Sequence, residues 1–197
     1  LLGVGGVLSY LFLFKPKSQP KTDTLFTDAL NAMVKNENTK AIHLLRTVVK
    51  QDSDHVMAYL QLCNIIREDN PNQAIKIHQS LTVRPNLTID IKVDIHQALA
   101  CDYEKVTLFS KAKLEAEQIL KIEKRNLWAL KFLLSISEKE ENWDQAMNWT
   151  RQIQKITGKK VINDIAQFIV FKGLGQLKNG LTDEAKSLFQ KAIKSSP

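Results

Sequence analysis

Residues 96–119 read HQALACDYEKVTLFSKAKLEAEQI and contain two consecutive runs with helical spacing. In the first run, four packing residues precede Ala112 by 16, 13, 12 and 9 positions: His96, Leu99, Ala100 and Tyr103. In the second run, Ala116 and Ile119 follow Ala112 by four and seven positions. Residues three and four apart lie on one face of a helix, so each run predicts an amphipathic helix. The small side chain of Ala112 would let the two helices pack closely as a hairpin.

An alanine in this position recurs along the chain. Each copy follows a polar, turn-like cluster and opens a helical face that continues four and seven residues later: Ala41, Ala74, Ala112, Ala146 and Ala185. Their spacings of 33, 38, 34 and 39 residues are typical of tetratricopeptide repeats. The sequence therefore predicts an all-α fold, an α-solenoid of about five tetratricopeptide-type helical hairpins. Such arrays rarely catalyse reactions and instead present an extended surface to a partner.

The repeats also predict where the array is irregular. In a tetratricopeptide hairpin, the first helix carries a small residue about a dozen positions before the alanine. Ala29 fills this position in the first hairpin and Gly173 in the fifth, but Leu134 occupies it in the fourth. Leu134 therefore predicts a splayed or shifted helix pair. Extra residues between hairpins, at 84–90 and 158–163, predict an uneven curve.

The amino-terminal residues 1–14, LLGVGGVLSYLFLF, form an apolar segment that lysines follow at once. A helix of this length spans about 21 Å. A bilayer core is about 30 Å thick and requires roughly 20 helical residues, so the segment is somewhat short. The chain does not begin with Met, so we expect upstream residues. A signal peptide is the alternative interpretation, but Lys-Pro-Lys at 15–17 stands where its small cleavage-site residues belong. We expect a retained transmembrane anchor, with the lysines and the repeats on the cytoplasmic side.

The predicted organisation has three parts. Residues 1–14 are the anchor, residues 15–24 (KPKSQPKTDT) are a polar linker, and residues 25–197 are the repeat array. Three linker residues are candidate amino-terminal caps of the first helix: Thr22, Asp23 and Thr24. Terminal repeats usually present a polar capping face, whereas the final turn of this chain retains apolar residues. We therefore expect the array to be truncated at the carboxyl end.

Composition and charge limit the possible functions. The chain is 25% charged and 44% hydrophobic, as in ordinary globular proteins. The excess of 28 Lys and Arg over 21 Asp and Glu gives a net charge of +7, which suits anionic surfaces or reflects lysine-rich, solvated helix faces. No basic run is interleaved with aromatic residues, so we expect no nucleic-acid partner.

Candidate chemistry is sparse in this sequence. The four histidines, His43, His55, His78 and His96, form no metal-binding motif, and His78 falls in a packing position. Cys63 and Cys101 belong to no CxxC pair and lie within predicted helices, where free cysteine usually acts as a small buried side chain. No phosphate-binding glycine loop and no nucleophile motif is present. We therefore expect neither a catalytic site, nor a metal site, nor a cofactor.

A partner surface is the remaining kind of site. Positions of the first helices that lie between the packing residues would line it: Asn64, Gln97, Cys101, Lys131, Ser135 and Glu138. Their mixed polar and charged character suits a peptide or protein better than an apolar ligand. Three tryptophans lie around the fourth hairpin: Trp128, Trp143 and Trp149. We interpret them as interhelix packing, or alternatively as including an exposed anchor for a partner.

The ordered phrases of the chain resemble one family, the lipopolysaccharide assembly protein B family of Gram-negative bacteria. An amino-terminal apolar segment and basic residues come first, and phrases similar to those of the family then follow in order: 73–81 (QAIKIHQSL), 97–99 (QAL), 102–103 (DY), 129–130 (AL), 133–134 (LL), 143–146 (WDQA) and 165–168 (IAQF). The similarity extends over essentially the whole chain.

The resemblance implies a non-catalytic scaffold in the bacterial inner membrane, with its repeats facing the cytoplasm. Its implied protein partners are the lipid A deacetylase and a membrane AAA protease, which it bridges so that the deacetylase is degraded. Family members carry further repeats and a carboxyl-terminal four-cysteine metal domain, which this sequence lacks. The alternative interpretation is a tetratricopeptide accessory or assembly subunit of another inner-membrane complex.

Overall fold

A computed structural model of the chain describes residues 21–158 and 162–195. These residues form ten α-helices and no strand: α1 (Thr22–Val34), α2 (Asn38–Gln51), α3 (Val56–Ile66), α4 (Pro71–Thr82), α5 (Ile89–Lys105), α6 (Phe109–Ile122), α7 (Leu127–Lys139), α8 (Trp143–Thr157), α9 (Ile162–Lys178) and α10 (Thr182–Ser195). The odd-numbered helices are the first helices of the predicted hairpins, and the even-numbered helices are the second. The predicted all-helical fold is confirmed.

The five repeat alanines confirm the predicted packing positions. Ala41, Ala74, Ala112 and Ala146 are fully buried and Ala185 is 1% exposed, each within the first turns of a second helix. The residues four and seven positions later are buried in the first three hairpins: Leu45, Val48, His78, Leu81, Ala116 and Ile119. Because both sets share one helical face, the spacing of the alanines determines which side of each second helix enters the core.

The chain divides into two compact units, Leu1–Ile65 and Ile66–Pro197. In the first unit, α1 and α2 form a hairpin whose core contains Leu25, Ala29, Ala32 and Leu45. Phe26 lies with its ring centroid 4.6 Å from that of His55, which precedes α3. The predicted small residue Ala29 is fully buried in this hairpin.

In the second unit, the apolar core continues from α5 to α10. One cluster joins Val93, Ile119 and Ala129 with the half-buried ring of Trp128. Another joins α8, α9 and α10 through buried residues: Ala146, Met147, Phe168, Ile169 and Ala192. Leu134 packs against this second cluster as a half-buried side chain.

Four hairpin turns use a residue with positive φ. Asn36, Thr107, Glu141 and Gly180 have φ values of 58°, 59°, 54° and 79°. In each turn the N–H of the following residue donates a hydrogen bond to the carbonyl five residues earlier, as Leu108 N does to Tyr103 O at 2.9 Å. This bond satisfies one of the carbonyls left open at the end of a helix.

Side chains cap several helices at their amino ends. Asn70, Thr88, Asn126 and Asn142 each accept a hydrogen bond from a backbone N–H three residues later. At α1, however, the predicted caps Thr22, Asp23 and Thr24 already lie inside the helix, and the capping position is Lys21, whose side chain makes no capping bond. The capping prediction was wrong, because the helix begins earlier than expected. Asp23 is instead an acidic residue of the first turn, where the helix dipole favours its charge.

No helix within the described part of the chain is both long and apolar enough to cross a membrane. The predicted anchor at residues 1–14 lies outside the described residues, as does most of the predicted linker. Helix α1 begins at Thr22, three residues before the predicted start of the array at residue 25.

Candidate functional site

Two ion pairs in the second unit each join a lysine at the end of a first helix to a glutamate earlier in the chain. Lys105, the last residue of α5, places Nζ 2.5 Å from Oε2 of Glu68, which follows α3. Lys139, the last residue of α7, repeats this arrangement with Oε1 of Glu104 at 2.5 Å. We call these two pairs the lysine ladder. The pairs are partly exposed, so each contributes little to the free energy of folding, but together they fix charges along one edge.

A polar groove of about 450 Å³ runs along the lysine ladder. Arg67 and Cys101 line it together with the four ladder residues. Burial raises the pKa of the Cys101 thiol, with the charge of Arg67 opposing that effect. The hydrogen bond from Lys105 lowers the pKa of Glu68. The first change favours the protonated Cys101 thiol near neutral pH, and the second favours the charged Glu68 carboxylate.

A buried ionic cluster lies behind this groove. Asp102 is fully buried and receives Nε of Arg67 at 2.5 Å through Oδ1, while its Oδ2 lies 2.6 Å from Nδ1 of His78. Arg67 also donates to the carbonyl of Ala98 at 3.2 Å. Buried charges require such pairing, since their hydration is lost on folding. The cluster therefore joins α4, α5 and the residue after α3 as a structural unit.

The predicted packing role of His78 is confirmed. Its side chain is fully buried in α4, and Nδ1 is bonded to Asp102. Nε2 has no hydrogen-bond partner within the part of the chain that the structure describes. His96, the other histidine in a predicted packing position, pairs with Oε2 of Glu115 at 2.6 Å. Both histidines thus hold a first helix against a second helix.

A second cavity lies among α7, α8 and α9 and has a volume of about 250 Å³. Helix α7 contributes Leu134 and Glu138, and α8 contributes Trp143 and Thr150. Helix α9 completes the lining with Asp164, Gln167, Phe168 and Phe171. The cavity combines a wall of aromatic rings with two carboxylates, and we call it the acidic–aromatic cavity.

The aromatic wall is built around Trp143. Its ring centroid lies 6.0 Å from that of Phe168 and 5.0 Å from that of Phe171. Phe168 is 6% exposed, whereas Trp143 and Phe171 are half-buried. Stacked and tilted ring pairs of this kind stabilise the wall beyond the effect of buried area alone.

One carboxylate of the cavity, Glu138, has a perturbed pKa. Desolvation raises the pKa of Glu138, and the negative charge of Asp164 raises it further. Glu138 is also the penultimate residue of α7, where the negative end of the helix dipole disfavours an anion. Asp164, in contrast, lies in the first turn of α9, where the dipole favours it.

Two buried polar groups of α8 have no hydrogen-bond partner in the described residues, and one of them lines this cavity. Trp149 Nε1 and Thr150 Oγ1 are buried and make no hydrogen bond within residues 21–158 and 162–195. Thr150 is 3% exposed and lines the cavity itself. A buried hydroxyl without a partner is costly, and such groups in native proteins usually have a functional or solvent-related explanation.

Two of the six residues predicted for a partner surface line a described cavity, one in each of two places. Cys101 lines the polar groove and Glu138 lines the acidic–aromatic cavity. Four others lie on first helices with exposed or half-buried side chains and line neither: Asn64, Gln97, Lys131 and Ser135. The structure thus brings no two of the six into the same described pocket.

Trp128 and Trp143 pack between helices as predicted, and the alternative role of an exposed partner anchor stays a prediction. Trp128 stacks on Phe132 of the same helix with ring centroids 4.9 Å apart, and it packs against the cluster of Val93 and Ile119 as interhelix packing. Trp143 packs on α9 and also forms part of a cavity wall. Asp164 and Phe171 line the same cavity as Trp143, and no sequence pattern indicates this proximity. In the described residues, no group of three or more His, Cys, Asp and Glu side chains could hold a metal ion.

Solved structures with a similar arrangement of helices are tetratricopeptide proteins. The crystal structure of MamA protein superposes with a TM-score of 0.61 at 18% identity, over 88% of this chain and 91% of that one. YrrB, described as a TPR protein with an unusual peptide-binding site, superposes with a TM-score of 0.58 at 14% identity, over 96% and 92%. The fold is a tetratricopeptide array. At these identities the likeness extends to the fold alone.

Curated relatives give a more specific similarity. The lipopolysaccharide assembly protein B of Escherichia coli K12 is 27% identical over 167 residues, which cover 84% of this chain and 43% of that protein. The protein of the same name from Haemophilus influenzae is 29% identical over 183 residues, covering 87% and 46%. The predicted resemblance is confirmed. The chain spans less than half the length of these relatives.

No protein-family model matches the chain. The relatives are named for assembly of lipopolysaccharide, and the structural neighbours are repeat proteins of a class that typically binds partners. Fold and similarity together therefore support a protein-interaction scaffold.

Proposed function

We propose that this chain is a non-catalytic, membrane-anchored scaffold that regulates lipopolysaccharide synthesis. In this proposal its repeats hold the lipid A deacetylase and a membrane AAA protease together, so that the deacetylase is degraded. The observation that carries the proposal is the similarity to lipopolysaccharide assembly protein B over more than four-fifths of the chain. A tetratricopeptide surface suits such a role, because arrays of helical hairpins present many side chains to a partner at once.

The proposed partner surface comprises the exposed and half-buried positions of the first helices. It includes Asn64, Gln97, Cys101, Lys131, Ser135 and Glu138. The peptide-binding site in the name of YrrB offers a precedent for peptide recognition on this fold. The fixed charges of the lysine ladder would give a partner its orientation, since arrays of charges contribute specificity and association rate.

Residues 1–14 are proposed as the membrane anchor, with the array on the cytoplasmic side of the bacterial inner membrane. Their apolar composition and the lysines that follow support this orientation. Leu11→Arg places a charge in the apolar segment, at a cost of about 3 kcal/mol if the residue lies near the bilayer centre. Alkaline extraction of membranes should then release the variant and retain the unchanged chain. Equal retention of both would contradict the anchor.

The partners are tested by purifying the full chain from membranes in a mild detergent. Both the deacetylase and the AAA protease should be recovered with it, and a chain lacking the array should recover neither. A strain depleted of the protein should contain more deacetylase. Recovery of an unrelated inner-membrane complex, with unchanged deacetylase abundance, would instead favour an accessory subunit of that complex.

A further inference from the structure

The lysine ladder stops at the acidic–aromatic cavity. Glu104 is the penultimate residue of α5 and pairs with Lys139, the last residue of α7. Glu138 is the penultimate residue of α7, and the corresponding last residue of α9 is Lys178. In the described part of the chain, however, Glu138 makes no ion pair with Lys178 or with any other cation.

The position of α9 explains the missing pair. Phe171 contacts Trp143 at the beginning of α8, so α9 meets the end of α7 through residues well before its own end. Lys178 lies seven residues beyond Phe171, about 10 Å farther along the helix. Asp164 lines the same cavity as Glu138, and its negative charge raises the pKa of the Glu138 carboxyl, so the neighbouring charge is a second carboxylate rather than a lysine.

The cavity is therefore an anionic site in a chain whose net charge is +7. Two carboxylates face a wall formed by Trp143, Phe168 and Phe171. The side chain of Thr150 lines the same cavity, and its buried Oγ1, which has no partner in the described residues, can accept a hydrogen bond. A cation with several N–H donors would satisfy all three oxygen-bearing side chains.

We propose that the acidic–aromatic cavity receives a lysine or arginine side chain of a protein partner. Its cationic end would lie between Glu138 and Asp164, and its aliphatic stem would lie against the aromatic wall. The stem matches these rings because the long basic side chains pack apolar carbons while their charge stays near polar groups. Aromatic faces add an attraction for the cation. In this arrangement a basic side chain of the partner would supply the ion pair to Glu138 that Lys178 does not make.

This inference rests on the proposed scaffold function and adds the chemistry of one contact. The probe is a pentapeptide with capped ends and the sequence Gly-Ser-Lys-Ser-Gly, compared with a peptide that carries norleucine at the centre. Norleucine keeps the aliphatic stem and lacks the charge. Binding to the full chain in detergent is followed by the indole N–H NMR signal of Trp143, assigned from its loss in Trp143→Phe.

The lysine peptide should shift the Trp143 signal saturably at millimolar concentrations. The norleucine peptide and the Glu138→Gln variant should each bind about tenfold more weakly, since a charged hydrogen bond contributes about that factor. Thr150→Val should weaken binding by a smaller factor. The matched control is Glu117→Gln, which removes an exposed carboxylate of α6 that lines neither the cavity nor the polar groove and should leave binding unchanged.

Several outcomes would overturn the inference. The lysine peptide could produce no saturable shift, the lysine and norleucine peptides could bind equally, or Glu138→Gln could bind as the unchanged chain does. Co-purification with the same variants separates this inference from the scaffold proposal. If Glu138→Gln still recovers the partners, the cavity contact is contradicted and the scaffold proposal is not. Peptide binding without recovery of either proposed partner does the reverse.

Discussion

Asp102 and His78 are both fully buried and are joined through Oδ2 and Nδ1 at 2.6 Å, while the same carboxylate also receives Arg67. This relationship makes Asp102 the centre of a buried cluster whose members depend on one another. Removal of the carboxylate leaves Arg67 and His78 without their common partner. Asp102→Ala should therefore lower the free energy of unfolding by about 3–5 kcal/mol, as measured by urea denaturation.

Glu104→Ala provides the comparison for Asp102→Ala. Glu104 lies two residues farther along α5 and pairs with Lys139 at 2.5 Å in a partly exposed setting. Its loss should cost less than about 1 kcal/mol, because solvent screens exposed ion pairs. Similar losses for the two variants would show that burial does not distinguish these carboxylates.

Stability should depend on pH through Glu138. Its pKa is raised in the folded chain by desolvation and by Asp164, so the folded state binds a proton more tightly than the unfolded state. The resulting destabilisation is complete above the folded pKa and disappears as the pH falls below the unfolded pKa. Glu138→Gln should therefore be more stable than the unchanged chain at pH 7, and this advantage should shrink towards acidic pH.

Parallel urea denaturation series at several pH values measure this difference. Glu104→Gln, which removes a paired carboxylate, serves as the control and should show no such gain at pH 7. A Glu138→Gln advantage that grows on acidification would contradict the direction assigned to the pKa.

Gly173 and Gly175 should respond oppositely to the same substitution. A Cβ atom on Gly173 would lie 2.6 Å from Cε1 of Phe189, whereas one on Gly175 meets nothing within 4 Å. Gly173→Ala should cost about 1–3 kcal/mol through overpacking, since Phe189 must move. Gly175→Ala should instead gain up to about 1 kcal/mol from helix propensity. Thermal unfolding of both variants tests the predicted small position in α9.

The packing position of the last repeat alanine is tested by Ala185→Glu. Ala185 is 1% exposed, so the new carboxylate would be buried without a partner and should cost at least about 2 kcal/mol. Ser187→Glu adds the same group at an exposed position of α10 and should change stability by less than about 0.5 kcal/mol. Circular dichroism during thermal unfolding would record both changes. Equal melting temperatures would contradict the repeat register.

The helical register could be predicted because it depends on local spacing. The repeat alanines and Leu45, Val48 and Leu81 are buried as predicted, since one period governs all of them. The turns could not be predicted in the same way. Residues 106–110 contain neither Gly nor Pro, and yet Thr107 adopts φ 59° there. Tertiary packing of the two helices fixes this conformation against the preference of the residue.

The candidate site could be predicted only in part. Glu138 and Cys101 lie in sites as first-helix residues, but no sequence pattern places Asp164 beside Glu138. That proximity depends on the position of α9 along the length of α7. Local periodicity does not determine this position. Asp102 was missed for a different reason. Acidic residues are rarely fully buried, and its burial depends on partners 24 and 35 residues away.

The positive-φ turns have a further consequence for how the hairpins come apart. Thr107 and Glu141 hold a conformation that costs a side-chain-bearing residue about 1 kcal/mol or more, whereas Gly180 adopts it freely. The third and fourth hairpins therefore close against a local penalty that the fifth does not incur. Hairpins with the same helix pairing would then differ in how readily they re-form after being pulled apart. The turn of the fifth hairpin should re-form most easily of these three.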